Sequence, residues 1–329
     1  MNNNQQSANA LFCSFDIYQK GYALLRESKR SIDKNGHRGI IYELGTPDGI
    51  SIGYYNITSA EKGKVIIENT QPFLQLSYTI SGRKKYAIEN GQRALASFKS
   101  QEYNYLFLTQ EKIHLSWEPE EKLEIFEVGI SPEVMLRFLP EEHPFFPVFH
   151  KSLEKNIPAL MSKANLSLRS KSNVILYDML NCPLEGRYKQ LYIKSKIGEL
   201  LAIQLEEYEQ SMRKGAPGAH AGALRQEDIV RMHHVRDIIV SNMNSPCSLI
   251  DLAHQVGTND AYLKKHFKQV FGTTVYGYLQ VIKMGEAKRL LMMGQTVSEV
   301  AYLTGYKHVA HFTRAFKKHF GVAPHTIKK

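Results

Sequence analysis

HFKQVFG (266–272) and AFKKHFG (315–321) are two versions of one heptad, 49 residues apart. The likeness extends upstream. SLIDLAHQVG (248–257) aligns with TVSEVAYLTG (296–305) at an offset of 48. Each opens with a capping box, Ser248 with Asp251 and Thr296 with Glu299, in which side chain and backbone satisfy the free amides of a helix start reciprocally. Leu249, Leu252, Ala253 and Val256 share one face of the first helix; Val297, Val300, Ala301 and Thr304 share the equivalent face of the second. Ala253 and Ala301 are small enough for a second helix to cross closely. Gly257 and Gly305 suit the left-handed backbone of a tight turn between helices.

A second helix is predicted after each glycine, over NDAYLKKHFKQVF (259–271) and HVAHFTRAFKKHF (308–320). Leu263, Phe267 and Phe271 fall on one face, as do Phe312, Phe316 and Phe320; Gly272 and Gly321 end the two helices. Helix, glycine-bearing turn, basic amphipathic helix is the pattern of a helix-turn-helix, whose second helix enters the major groove. A plain helical hairpin accounts for either copy alone. It does not account for two copies with matched caps, matched glycines and basic second helices. Between them TTVYGYLQVIKMGEAKRLLMMG (273–294) reads as one long helix, with Val275, Leu279, Ile282, Ala287, Leu290 and Leu291 available for packing. Such a spacer lets one module reach two successive major-groove segments about 34 Å apart.

The charge distribution agrees. Residues 224–329 carry 15 Lys and Arg against 7 Asp and Glu, so +8 of the chain's net +10 lies there, with 8 of the 13 histidines. A concentrated basic excess suits a polyanion, because neutralised phosphates release condensed counterions.

The front half has a different period. ISIGYYNI, FLQLSYTI, KKYAIE, YNYLFL and KLEIFEVGI between residues 40 and 130 alternate apolar and polar positions and are separated by turn signals such as Ser81-Gly82 and Asn90-Gly91. They predict a small antiparallel sandwich or barrel. Ser131-Pro132-Glu133 starts a helix that stops before Pro140. RYKQLYIKSKIGELLAIQLEEYEQSM (187–212) predicts a long helix with Leu191, Lys194, Ile197, Leu201, Gln204, Leu205 and Tyr208 on one side. MRKGAPGAHAGALRQ (212–226) has no periodicity and reads as a linker. The expected fold class is α+β: a β-rich, cupin-like sensing and dimerisation domain with flanking helices (1–211), the linker (212–226), and an all-α DNA-binding domain with two helix-turn-helix units (227–329).

The tail is identified by its residues as similar to the AraC/XylS family of bacterial transcription regulators. LIDLAHQVGTNDAYLKKHFKQVFGTTVYGYL, AKRLL and VSEVAYLTGYKHVAHFTRAFKKHFGVAP carry the resemblance. Lys283 stands where the family usually has arginine, Asn259 where it usually has serine, and Gly285 is unusual in the connecting helix. Asparagine caps a helix as well as serine does. By position, the resemblance implies base-reading roles for Ala261, Lys264 and Lys265 on the first recognition helix and Val309, Ala310, His311 and Arg314 on the second. It implies DNA-backbone contacts for Ser248, Lys268, Thr296, Lys317 and Lys318. Ala261, Val309 and Ala310 can offer only apolar contact to thymine methyls. GTTVYGYL and ELLAIQLEE further resemble the siderophore-responsive, pyochelin-regulator-like subgroup, which implies an iron-siderophore or other metal chelate as effector.

The expected partners are therefore double-stranded DNA, a small-molecule effector, a second copy of the chain and RNA polymerase, in the bacterial cytoplasm. The polar start, MNNNQQSANA, reads as a disordered tail and not a signal peptide. No apolar run approaches the roughly 20 residues that span a bilayer. Cys13, Cys182 and Cys247 have no metal-type spacing, and His114, His143 and His150 stand apart, so neither a metal site nor a cofactor is expected. No GxSxG, P-loop or GxGxxG is present. An enzyme or small-molecule-binding protein with a basic, nucleic-acid-tethering tail remains the competing reading. Tyr54, Tyr55, Tyr78, Tyr86, Tyr103, Tyr105 and Trp117 are candidate pocket linings, with core packing as the other account; the effector-binding residues themselves stay unassigned.

Overall fold

The computed structural model describes residues 25–67, 71–88, 94–109, 112–119, 122–214, 224, 226–245 and 247–327. The expected tail at 1–10 lies outside them, as does most of the expected linker; Met212–Lys214 close one helix and Gln226 opens the next. Contacts divide the chain into two units: Met1–Ser172 with Leu184–Ala219, and Asn173–Pro183 with His220–Lys329. Residues 173–183, which chain order places in the front domain, count with the second unit.

The first unit is a sandwich of two antiparallel sheets. Its strands are β1 (Arg26–Lys34), β2 (His37–Gly45), β3 (Ile50–Ser59), β4 (Gly63–Ile67), β5 (Phe73–Ser81), β6 (Lys84–Ile88), β7 (Ala94–Phe98), β8 (Glu102–Leu108), β9 (Ile113–Trp117) and β10 (Lys122–Ile130). Two further short strands, β11 (Ala159–Leu160) and β12 (Leu166–Ser167), both pair with β8. The large sheet runs β1-β2-β3-β10-β5-β8-β11, and the small one β4-β9-β6-β7. Register fixes which residues face inward, because the side-chain period of a strand is two. Tyr55, Ile57, Phe73, Leu106, Leu108, Leu123 and Ile125 of the large sheet meet Val65, Ile67, Tyr86, Phe98, Ile113, Leu115 and Trp117 of the small one. The sheet begins before the expected strands: β1 is exposed almost throughout, so no apolar alternation announces it.

The opposite face of the large sheet is covered by helices α1 (Pro132–Phe138), α2 (Phe146–Lys155) and α4 (Gly186–Lys214); α3 (Ser170–Leu180) precedes α4. Ser131 caps α1 and Pro132 occupies its first turn, as its sequence predicts. Phe107 meets Phe149 of α2 edge-on at 5.6 Å. Tyr78 and Tyr105 both donate to Gln204 Oε1 of α4 at 2.8 Å.

The α4 stripe differs from its expected course only at two residues near its amino end. Leu191 is 62% exposed, and Lys194 pairs with Asp48 at the surface. Ile197, Leu201, Gln204, Leu205 and Tyr208 of the expected stripe are buried; Ile193 and Leu200 join them, and Lys189 is buried against Glu27 at 2.5 Å. The true stripe is rotated by one position at its amino end, where a lysine stem covers apolar surface.

The second unit is helical: α5 (Gln226–Ser241), α6 (Leu249–Gln255), α7 (Asp260–Phe271), α8 (Val275–Met292), α9 (Val297–Leu303), α10 (Val309–Phe320), and a 3₁₀ turn at Pro324–Ile327. Helix α8 passes through Gly285 unbroken. None of the described helices is long and apolar enough to cross a membrane.

Candidate nucleic-acid interface and interior cavity

Both capping boxes form. Ser248 Oγ accepts from Asp251 N at 3.1 Å and Thr296 Oγ1 from Glu299 N at 3.2 Å, while each carboxylate returns to the cap amide. Each cap hydroxyl also donates to that carboxylate, at 2.6 and 2.8 Å. The amide and hydroxyl bonds from Thr296 hold the exposed Glu299 carboxyl below the usual range. Ala253 and Ala301 are 1% exposed, where the next helix crosses. Gly257 (φ +65°) and Gly305 (φ +78°) make the turns in the left-handed region. Both helix-turn-helix units therefore assemble as the repeat predicts.

Asn259 caps α7 by accepting from Tyr262 N at 2.8 Å. Leu263, Phe267, Val270 and Phe271 seat that helix, with His266 packed against Tyr262 at 3.6 Å between ring centres and their planes inclined by 51°. In the second copy Phe312 and Phe316 are fully buried against Met284, Ala287, Leu291, Val300 and Ala301. Phe320, expected in the core, is half-buried, with Lys288 Nζ 5.4 Å from its ring centre.

The outward faces carry the other residues singled out in sequence. Ala261, Lys264, Lys265 and Lys268 are exposed on α7; Val309, Ala310, His311, Arg314, Lys317 and Lys318 are exposed on α10. Ser248 and Thr296 are exposed too, but their hydroxyls are engaged in the caps, beside a carboxylate. Lys264 is engaged as well: its ammonium meets Asp260 at 2.8 Å, one turn back. Water and salt screen such an exposed pair, so it contributes little and opens readily.

Sequence marks Lys283 only as a departure from arginine. It is 8% exposed, its ammonium 5.8 Å from the Tyr306 ring centre, and burial pulls its pKa down. Tyr306 in turn exchanges hydrogen bonds with Gln280 across the turn of the second unit.

Between its two sheets the sandwich holds a narrow, nearly filled cavity. Of the aromatic residues named from sequence, Tyr55, Tyr86 and Trp117 line it; Tyr54, Tyr78, Tyr103 and Tyr105 lie on the opposite face of the large sheet. Its wall is otherwise aliphatic, and its polar end is Gln75 and Glu127. Glu127 is buried yet fully engaged: it accepts from Gln75 Nε2 (2.6 Å), Tyr86 Oη (2.8 Å) and Ser77 Oγ (3.2 Å), and it pairs with Lys84. Burial lowers the Lys84 pKa and the nearby carboxylate offsets that in part. Sequence inspection misses this cluster because Lys84 and Glu127 are 43 residues apart and each looks like an ordinary strand charge.

Among the described residues no group of His, Cys, Asp and Glu has the arrangement of a metal site. His143 is structural: its Nε2 meets the Leu205 carbonyl at 3.0 Å and its Nδ1 accepts from Phe145 N. His150 faces Glu154 at the surface.

Known proteins match both parts. A family model described as the regulatory protein PchR N-terminal domain matches residues 36–219, and one described as a helix-turn-helix domain matches 252–329. Regulatory protein PchR of Pseudomonas aeruginosa is 36% identical over 110 residues, which is 33% of this chain and 36% of PchR. The match thus spans about a third of that relative's length. Multiple antibiotic resistance protein MarA of Escherichia coli is 30% identical over 105 residues, 32% of this chain and 83% of MarA. Among solved structures, an apo form of a ToxT point variant from Vibrio cholerae aligns over 84% of this chain and 96% of its own at 13% identity, with a TM-score of 0.34.

Proposed function

The chain belongs to the family of the regulatory protein PchR N-terminal domain, joined to an AraC-type helix-turn-helix domain, and from that premise we propose that it is a DNA-binding transcription regulator controlled by a small-molecule effector. The observation that carries this is the doubled unit: two capped, glycine-turned helix pairs, each presenting a basic outer face, within the stretch that holds nearly all the net charge. In this reading residues 1–211 sense, 212–226 connect and 227–329 read.

In this reading α7 and α10 enter successive major-groove segments. Arg314, His311, Lys265 and Lys264 reach base edges, Lys264 by leaving Asp260; Ala261, Val309 and Ala310 meet thymine methyls. Lys268, Lys317 and Lys318 neutralise phosphates. The hydroxyls of Ser248 and Thr296 are held by their caps, so these residues contribute through backbone at the helix starts. The partner is a palindrome or direct repeat read by a homodimer in the cytoplasm, in contact with RNA polymerase.

The interior cavity is the best-supported seat for the effector. Its aromatic and aliphatic wall is chemically suited to an apolar surface, such as the aromatic face of a metal chelate, which enters this narrow space only if the sheets part; an iron-siderophore is the candidate the family resemblance supports. Glu127 already has a full set of donors, so the ligand's contacts with this wall are mainly apolar.

The decisive experiment is a footprint of the purified chain on DNA upstream of its own gene. Protection of two adjacent major-groove segments on one face is the expected result. Absence of such protection at every salt concentration overturns the reading.

A further inference from the structure

Residues 173–183 belong by sequence to the half of the chain that precedes α4, but their contacts are with the reading helices. Asn173, Ile175, Leu176, Tyr177 and Met179 are at most 3% exposed. Tyr177 is the centre of the attachment. Its ring meets Phe271, the last residue of α7, edge-on at 5.2 Å, and His233 of α5 lies 5.0 Å from the same phenylalanine. Its hydroxyl accepts from Arg236 Nη1 at 2.7 Å. Arg236 is 2% exposed, and its remaining fork is bound by Asp237. Val174 packs on Gly272, the cap of α7, so closely that a Cβ there would lie 2.7 Å from Val174 Cγ1.

A buried guanidinium that loses an acceptor is costly, and so is an uncovered aromatic pair. Withdrawal of this segment therefore opens one place in the unit, the joint between α5 and the carboxyl end of α7. The second copy differs there: a Cβ at Gly321, the equivalent cap of α10, would meet nothing within 4 Å.

We propose that residues 173–183, most of α3 with the turn that follows it, are a docking segment of the DNA-reading unit: seated between α5 and the end of α7, the segment holds the first recognition helix in its reading position and sets the affinity of that unit alone. The proposal rests on the reading of α7 as a DNA-binding helix. The chain passes into this segment after Ser172 and leaves it before Leu184, both of which count with the sandwich unit. The docking segment is thus covalently placed to report on the sandwich, and its seating is the regulated step.

The test uses the full-length chain as wild type, Tyr177→Phe and Tyr177→Ala, by hydrogen–deuterium exchange and by footprinting on the upstream DNA. In Tyr177→Ala, amide exchange in α5 and α7 rises by roughly tenfold or more, the scale set by losing a hydrogen bond to a charged group. Exchange in α9 and α10 stays at the wild-type rate. Protection is lost from the DNA segment read by α7 and kept in the segment read by α10, with Tyr177→Phe intermediate. Unchanged exchange in α7, or a parallel rise in α9 and α10, overturns the proposal. A wild-type chain that protects no DNA overturns the DNA-binding reading and the affinity half of this proposal, while exchange still decides whether the segment docks.

Discussion

Gly272 and Gly321 hold the same left-handed backbone, φ +71° and +76°, at the ends of the two recognition helices, yet only Gly272 is covered by another side chain, that of Val174. Backbone strain is therefore common to both positions and steric cost belongs to one. Gly321→Ala is expected to cost about 1 kcal/mol, the usual penalty for a non-glycine residue in that region. Gly272→Ala adds an overpacking cost of about 1–3 kcal/mol, because a β-branched neighbour yields little. Urea unfolding followed by helix ellipticity measures both, and Val174→Ala restores the excess in the Gly272→Ala background only.

The buried Lys84–Glu127 pair has a different logic. Lys84→Met strands a carboxylate among Gln75, Ser77 and Tyr86, and is expected to destabilise the sandwich by about 3–5 kcal/mol. Lys84→Met with Glu127→Leu removes both charges and recovers most of that loss. Trp117, the one tryptophan of the chain, is 3% exposed inside the sandwich, so its emission against urea reports this unit alone. A neutral Lys84→Met shows the pair to be uncoupled.

Helix α9 is expected to be sensitive to acid. The Glu299 carboxyl is held below the ordinary 4.5 by bonds from Thr296. A depressed carboxyl means that the unfolded chain binds the proton more readily, so the stabilisation is complete above about pH 4.5 and fades as pH falls through the lower, folded value. Helix ellipticity of the wild type against Glu299→Gln between pH 6 and pH 3 tests this. The variant lacks that component and gives a flatter profile; identical profiles refute the role of the cap.

On DNA, Arg314 and Lys317 should separate. Both are exposed on α10, Arg314 near its middle and Lys317 toward its carboxyl end. Arg314→Ala is expected to lose about 1–3 kcal/mol and to relax preference at one base position. Lys317→Ala weakens all sequences alike and reduces the salt slope by about 0.9. Gel shifts on matched and mismatched sites across a salt series decide it, and equal slopes with equal sequence preference reverse the assignment.

The cavity prediction uses 1-aminoanthracene, an uncharged fluorescent aromatic, as probe. Saturable enhancement is expected with the wild type and is abolished by Leu115→Trp, which fills the cavity from β9. The DNA footprint of ligand-free Leu115→Trp stays as in the wild type. Undiminished probe binding in the variant places the binding surface elsewhere.

The reading unit was legible in the sequence because its devices are local. A capping box needs residues three apart, a turn needs one glycine, and a helix face repeats at three and four; the exposed face of α10 follows from the burial of Phe312 and Phe316. The sandwich was legible as strands but not as a site. Which tyrosines face the cavity depends on register between β3, β5 and β10, and alternation within one strand does not disclose it when both faces are buried. The placement of Lys84 against Glu127 and of Tyr177 against Arg236 is set by tertiary pairing across 43 and 59 residues. Leu191 shows the reverse case, an apolar residue on a helical period whose face the neighbours do not use.

Segment 173–183 also bears on how such a chain can be recombined. Neither unit is continuous in sequence: each encloses, or is interrupted by, a piece of the other. A chimera joined at residue 220 would bring a foreign docking segment to the groove formed by α5 and Phe271. Successful exchange of reading heads among relatives therefore requires the graft to carry two segments of coding sequence, or selection to hold Tyr177 and Arg236 together as one inherited pair.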